Sequence, residues 1–135
     1  MKAYLASRYS RRDELREYRT LLENAGIKVT SRWLDETEPL DGRLVNRDSR
    51  FWKFHAEIDI EDVKRADMLV FFAESPDTAT PRGGRHVEFG LALALGKAIY
   101  VISEHSPENI FHYLEGVTYY KTFDDFLLAW NNYKI

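Results

Sequence analysis

The chain has 135 residues, 44% hydrophobic and 14% aromatic, with 19 Lys plus Arg against 22 Asp plus Glu for a net charge of −3. Such a chain can build one well-packed domain over residues 1–135, which excludes disorder as its main state. The mixed, slightly acidic charge excludes wholesale binding to nucleic acid or an anionic membrane. Cysteine is absent, which removes thiol catalysis, disulfides and Cys-based metal sites together. The longest stretch without a polar side chain, residues 89–96, is far short of the ~20 residues of a membrane span. Met1-Lys2 leads straight into a strand-like segment rather than a secretory signal, so a soluble, cytoplasmic protein is expected.

In chain order, the pattern predicts a strand over residues 2–6 and a helix over 11–25, stopped by Gly26. A second strand over 27–33 leads into a polar loop, 35–48, and a helix over 51–65. The segment 68–73 is apolar throughout, the mark of a central parallel strand covered on both faces. A Pro- and Gly-bearing loop over 74–84 precedes a short helix, 85–95, whose last turns are apolar nearly all round and are therefore expected to be buried. Strands follow at 98–103 and 117–120. Thr122 followed by Asp125 reads as a capping-box variant opening a last helix over 123–132. Strands alternating with helices imply a three-layer α/β sandwich, flavodoxin-like or Rossmann-like, with a five-stranded parallel sheet in the order 2-1-3-4-5. Ligands of such sheets bind beyond the carboxyl ends of the strands, which nominates the loops 7–12, 73–84 and 103–109.

The first of these reads Ser7-Arg8-Tyr9-Ser10-Arg11-Arg12 and opens into a helix, so hydroxyls, guanidinium groups and free amides converge as an anion would require. The same stretch also reads as a solvated basic segment balanced by Asp13, Glu14 and Glu17. The second loop ends Arg82-Gly83-Gly84-Arg85-His86-Val87-Glu88, where paired glycines permit close backbone approach. It is neither a Walker loop nor a dinucleotide fingerprint. Glu88 reads as a first-turn acid of an apolar helix, favoured in its ionised form by the helix dipole and by Arg82 and Arg85. That environment fits a carboxylate nucleophile, or simply a capping acid. Asp59 stands beside the stripe Ala56, Ile60 and Val63, which helical spacing turns toward the core. Asp67 reads as a helix-end or loop residue. Phe51, Trp52 and Phe54 read as core. The four histidines, His55, His86, His105 and His112, lack metal-ligand spacing, and no GxSxG element is present, so neither a metal nor another cofactor is expected.

Tyr4 in the first strand, Asp59 eight residues before Asp67, the strand Met68-Leu69-Val70-Phe71-Phe72, and Gly84-x-x-x-Glu88-x-Gly90 with Gly96-Lys97 together resemble the nucleoside 2-deoxyribosyltransferase family, which includes deoxynucleoside-monophosphate N-glycosidases. The resemblance implies that Glu88 attacks the anomeric carbon, Asp59 assists the departing base, and Tyr4 contacts the nucleophile. It implies cleavage of the N-glycosidic bond of a nucleoside or nucleotide through a glycosyl-glutamate, followed by transfer to another base or to water. Ser7, Arg8, Tyr9, Arg82, Gly84 and Arg85 are the expected substrate contacts. Many transferases of the family carry Asp-x-Gly-Thr before the glutamate; Arg82-Gly83-Gly84-Arg85 here implies a more anionic substrate. The family's sites are commonly completed by a neighbouring subunit, so a homodimer or higher homo-oligomer is expected, with Asn109 reaching the partner's sugar. A non-catalytic nucleotide-binding module remains the alternative. A response-regulator-like domain fits poorly, because the third strand ends Ala73-Glu74-Ser75 without a phospho-accepting aspartate.

Overall fold

The computed structural model describes residues 1–36, 48–75, 83–105 and 109–133. Five parallel strands, β1 (Lys2–Ala6), β2 (Lys28–Val29), β3 (Met68–Phe72), β4 (Ala98–Ile102) and β5 (Val117–Tyr120), form one sheet in the order β2-β1-β3-β4-β5. The order and the parallel sense are those the strand–helix alternation predicts. Helices α1 (Arg12–Asn24) and α4 (Phe123–Tyr133) pack on one face; α2 (Ser49–Arg65) and α3 (Gly84–Ala94) pack on the other. Alternation along β3 shows the division: Phe72 stacks on Tyr18 of α1, whereas Phe71 meets Phe89 of α3 edge to face. Every residue of β3 is buried, as its unbroken apolar run requires.

Caps bound the helices where turn chemistry predicts. Gly26 and Gly96, at φ 87° and 70°, follow α1 and α3 in the left-handed region that glycine adopts without strain. Thr122 Oγ1 accepts from the Asp125 amide at 3.1 Å, closing the predicted cap of α4. Asp67 accepts from the Lys2 amide at 2.8 Å and so caps the start of the sheet rather than entering the site.

Four expectations need correction. The second strand pairs only at Lys28 and Val29, not over residues 27–33. Beyond it, side chains replace the ladder: Ser31 Oγ accepts from the Leu5 amide at 2.7 Å, and Trp33 Nε1 donates to the Leu5 carbonyl at 2.9 Å. With Leu5 satisfied in this way, the chain is free to curl into a 3-10 turn, Arg32–Asp35. Second, the stripe expected inward on α2 is displaced: Ala56 and Ile60 are exposed, while Asp62 and Val63 are buried and Asp59 is half-buried. Phe54, expected in the core, is exposed as well. Third, α3 buries only the stripe Arg85, Phe89 and Ala92; Leu93 and Leu95 are exposed, because a helix lying on a sheet contacts it along one face. Fourth, Glu88 falls in the second turn of α3, not the first, since the helix begins at Gly84.

Candidate active site

The site is built from three elements on the α2/α3 face of the sheet. Tyr4 stands in the middle of β1 with no exposed surface, paired in register with Leu69 of β3. Its hydroxyl donates to Glu88 Oε2 at 2.5 Å, joining β1 to α3. Asp59 comes from α2, close enough that its charge bears on both Tyr4 and Glu88. The three residues that sequence reasoning singled out for chemistry therefore meet in one place.

Their electrostatics are dominated by burial. Asp59 is pushed up to about 7, first by desolvation and then by the charges of Asp62 and Glu36, with Arg32 opposing. Glu88 is pushed up to about 8 by desolvation and by Asp59, with the Tyr4 hydrogen bond pulling the other way. Desolvation and the Glu88 charge raise Tyr4 well above the usual tyrosine range, so it remains a hydrogen-bond donor. This corrects the expectation that the helix end and neighbouring arginines hold Glu88 ionised. Five residues into α3, it is beyond the strongest part of the dipole, and burial outweighs what remains. Two half-buried carboxyls side by side cannot both ionise cheaply, and they titrate as a pair.

The expected substrate contacts are distributed more widely. Ser7 Oγ donates to the Arg8 carbonyl, and Arg8 faces Glu74 at 3.8 Å. The Tyr9 hydroxyl accepts from Arg12, whose guanidinium stacks 4.8 Å from the Tyr9 ring. Arg11 forms a two-point pair with Glu14 at 2.8 and 2.9 Å, a use that the balancing acids of the sequence foreshadowed. Gly84 starts α3 with open space where a Cβ would sit. Arg85 is buried, its guanidinium carbon 5.8 Å from the centre of the Phe71 ring. Asn109 caps the 3-10 turn Ile110–Tyr113 through the Phe111 amide, and its Nδ2 lies 3.1 Å from His86 Nδ1 on α3. Arg82 lies outside the described residues. Among the described residues no group of three or more His, Cys, Asp or Glu is arranged to hold a metal, and no helix is long and apolar enough to cross a membrane.

Sequence reasoning missed Asp62, Glu36 and His55. Asp62 is fully buried one turn beyond Asp59, and His55 Nδ1 sits 2.8 Å from Glu36 Oε1 one turn before it. The run Glu57-Ile58-Asp59-Ile60-Glu61-Asp62 reads as a solvated face; the acids at 59 and 62 are inward only because α2 presents that side to β1. A separate cavity of about 320 Å³, lined by Arg11, Tyr18, Phe72, Ser103, Lys121 and Phe123 among others, opens on the α1/α4 face and includes none of the three central residues.

No protein-family model matches the chain, and no curated relative does. Solved structures do. A 2-deoxyribosyltransferase of Bacillus psychrosaccharolyticus superposes with a TM-score of 0.71 at 20% identity, over 98% of this chain and 92% of that one. A CMP N-glycosidase, BcmB, of Clostridium botulinum matches with a TM-score of 0.62 at 21% identity, over 98% of this chain and all of the other. A conserved protein of Enterococcus faecalis V583 matches at 0.58 and 21% identity, over 95% of each chain. At these identities the likeness establishes a shared fold, carried along nearly the whole chain.

The raised acids carry a consequence for stability. Asp59 and Glu88 bind protons more tightly when folded, so their contribution is greatest below the ordinary carboxylate range and is lost as pH rises through about 7 and about 8. Glu88→Gln removes one of these buried ionisations. Thermal unfolding should show the variant a few degrees more stable than the parent near pH 9, with the gain vanishing near pH 4.

Proposed function

We propose that the chain cleaves the N-glycosidic bond of 2′-deoxynucleosides or deoxynucleotides by a retaining double displacement and passes the deoxyribosyl group to another base. The observation that carries this reading is the Tyr4 hydroxyl at 2.5 Å from Glu88, with the proton-holding Asp59 beside it. The reaction requires the pair's proton on Asp59 and Glu88 as the carboxylate, an arrangement that the Tyr4 hydrogen bond favours against the burial of Glu88. The C1′–N bond breaks with its electron pair going to the base, which takes the Asp59 proton, while a Glu88 oxygen bonds to C1′. The positive charge developing at the sugar is stabilised by the same carboxylate. In the second step a base nitrogen attacks C1′, gives its proton to Asp59, and Glu88 departs.

A second reading, with water as the acceptor and a 5′-monophosphate as substrate, is favoured by the arginines of the 7–12 and 82–85 segments in the sequence and by the fold shared with an N-glycosidase of CMP. Here Arg8, with Arg82 and Arg85, takes the phosphate, and Ser7, Tyr9 and Gly84 line the sugar side. The apolar residues left exposed on α3 and its neighbour, Val87, Leu93, Leu95, Ile110 and Phe111, support assembly into a homodimer or higher oligomer in which Asn109 approaches a second copy's sugar. Light scattering checks this directly: a monomeric mass across working concentrations counts against it. The reading also has one domain, no cofactor and a cytoplasmic setting.

Mass spectrometry of enzyme quenched during turnover of a slow substrate should find a sugar on the peptide containing Glu88. Glu88→Ala should fold and release almost no base; a fully active variant ends the glycosyl-transfer reading and leaves the binding module. Asp59→Asn should slow natural bases by about 10²–10⁴-fold while sparing substrates whose leaving groups need no proton. An equal loss on both classes would assign Asp59 to positioning. For the phosphate, Arg8→Ala should erode a preference for monophosphates over nucleosides by roughly 10-fold or more, and equal turnover of both by the parent protein removes that assignment.

A further inference from the structure

Asp62 is the only fully buried acid among the described residues, and with no accessible surface it cannot touch a substrate. It accepts from the Arg32 amide at 2.9 Å, from Arg32 Nε at 2.9 Å and from Arg65 Nη2 at 2.9 Å. Both arginine side chains are about half exposed, at 47% and 49%. The pair is therefore lopsided. Water screens the positive ends, whereas the carboxylate lies on the protein side, one helical turn from Asp59, where side chains three apart are neighbours. The geometry points to Asp62 as a positioning residue for Asp59: its buried negative charge, one turn away on the same helix, favours the protonated form of that carboxyl.

Among the described residues, the other charged or titratable groups around Asp59 come from other elements of the fold. Glu36, following the Arg32–Asp35 turn, adds negative charge, but it is partly exposed and paired with His55. Arg32 opposes. Tyr4 from β1 and Glu88 from α3 share the site, and Arg12, at the start of α1, is engaged by the Glu36 carbonyl and Tyr9. Asp62 comes first among the charges that raise Asp59 and also bears on Tyr4 and Glu88. A purely structural clamp between the Arg32 turn and α2 would need the same hydrogen bonds but would leave the titration of Asp59 indifferent to the sign of the charge removed.

The proposal rests on Asp59 being the general acid, so its test reads Asp59 both with and without turnover. Carboxyl carbon NMR of the free protein follows the Asp59 midpoint directly, and the alkaline limb of kcat/KM follows it in action. Asp62→Asn should lower both by about 0.5–1 pH unit, the size of one partly screened charge a helical turn away. Arg32→Gln, a change at a half-exposed side chain, should raise both, and Asp62→Glu should hold them near the parent values. Midpoints that stay put, or that move in the same direction in Asp62→Asn and Arg32→Gln, overturn the proposal. Should Asp62→Asn fail to fold, Arg65→Gln decides, because Arg65 pairs with Asp62 and is not among the charges that bear on Asp59: an upward shift supports the proposal and no shift overturns it. Opposite NMR shifts in a protein whose Asp59→Asn variant keeps full activity would instead uphold the field of Asp62 and remove the general-acid reading.

Discussion

The contact between the Tyr4 hydroxyl and Glu88 ties together everything else at the site. It requires a polar side chain in the middle of a strand that is otherwise sealed from water, and a carboxylate on a helix aimed back at it. A phenol can meet that demand because its ring fills core volume and its single hydroxyl is satisfied by one acceptor. The carboxylate cannot be accommodated so simply. Glu88 needs the Tyr4 donor to offset a burial that otherwise favours the neutral acid, and Asp59 beside it increases the demand. The three groups form a small system in which the position of one proton decides the state of all.

This concentration of acids departs from what would stabilise the fold best. Asp59, Asp62 and Glu88 occupy positions where apolar side chains would pack more favourably. Asp62 is held by two arginines and a backbone amide. The other two acids retain partial access to solvent. A site of this kind stays poised because its surroundings are rigid: β1 is locked between β2 and β3, and the Leu5 backbone is clasped by Ser31 and Trp33. That clasp also directs the chain into the Arg32 turn, which delivers Arg32 to Asp62. Strand, turn and helix are thus coupled by hydrogen bonds behind Tyr4, Asp59 and Glu88.

The two faces of the sheet differ in kind. The α1/α4 face is bound by stacked rings, Tyr18 on Phe123 and on Phe72, with ion pairs along α1. The α2/α3 face gathers His86, His112, Phe71 and Phe89 around one another and places the acids nearest β1. Val87 and Leu93 of α3, and Leu95 just after it, are apolar and exposed.

Much was legible from sequence because it depends on local rules. The strand–helix alternation gives the parallel order, the unbroken run Met68–Phe72 marks the central strand, and Gly26, Gly96 and Thr122 mark helix ends by backbone and capping chemistry. Asp59 and Glu88 stand out by their places along apolar helix faces, and Tyr4 through the likeness to a known family alone. What the sequence could not determine was orientation. Binary patterning assumes that apolar residues face inward, and on α2 it chose Ala56 and Ile60; the tertiary packing rotates the helix so that Asp59 and Asp62 face β1 instead. The shortening of β2 likewise depends on side chains of Ser31 and Trp33 reaching a strand 26 and 28 residues away in sequence. The proton affinities of Asp59 and Glu88 follow from burial and from charges contributed by separate elements, Asp62 on α2, Glu36 after the Arg32 turn and Tyr4 on β1. A carboxyl's ordinary value is a property of the residue. Its displacement is a property of what surrounds it, and only the assembled structure supplies that.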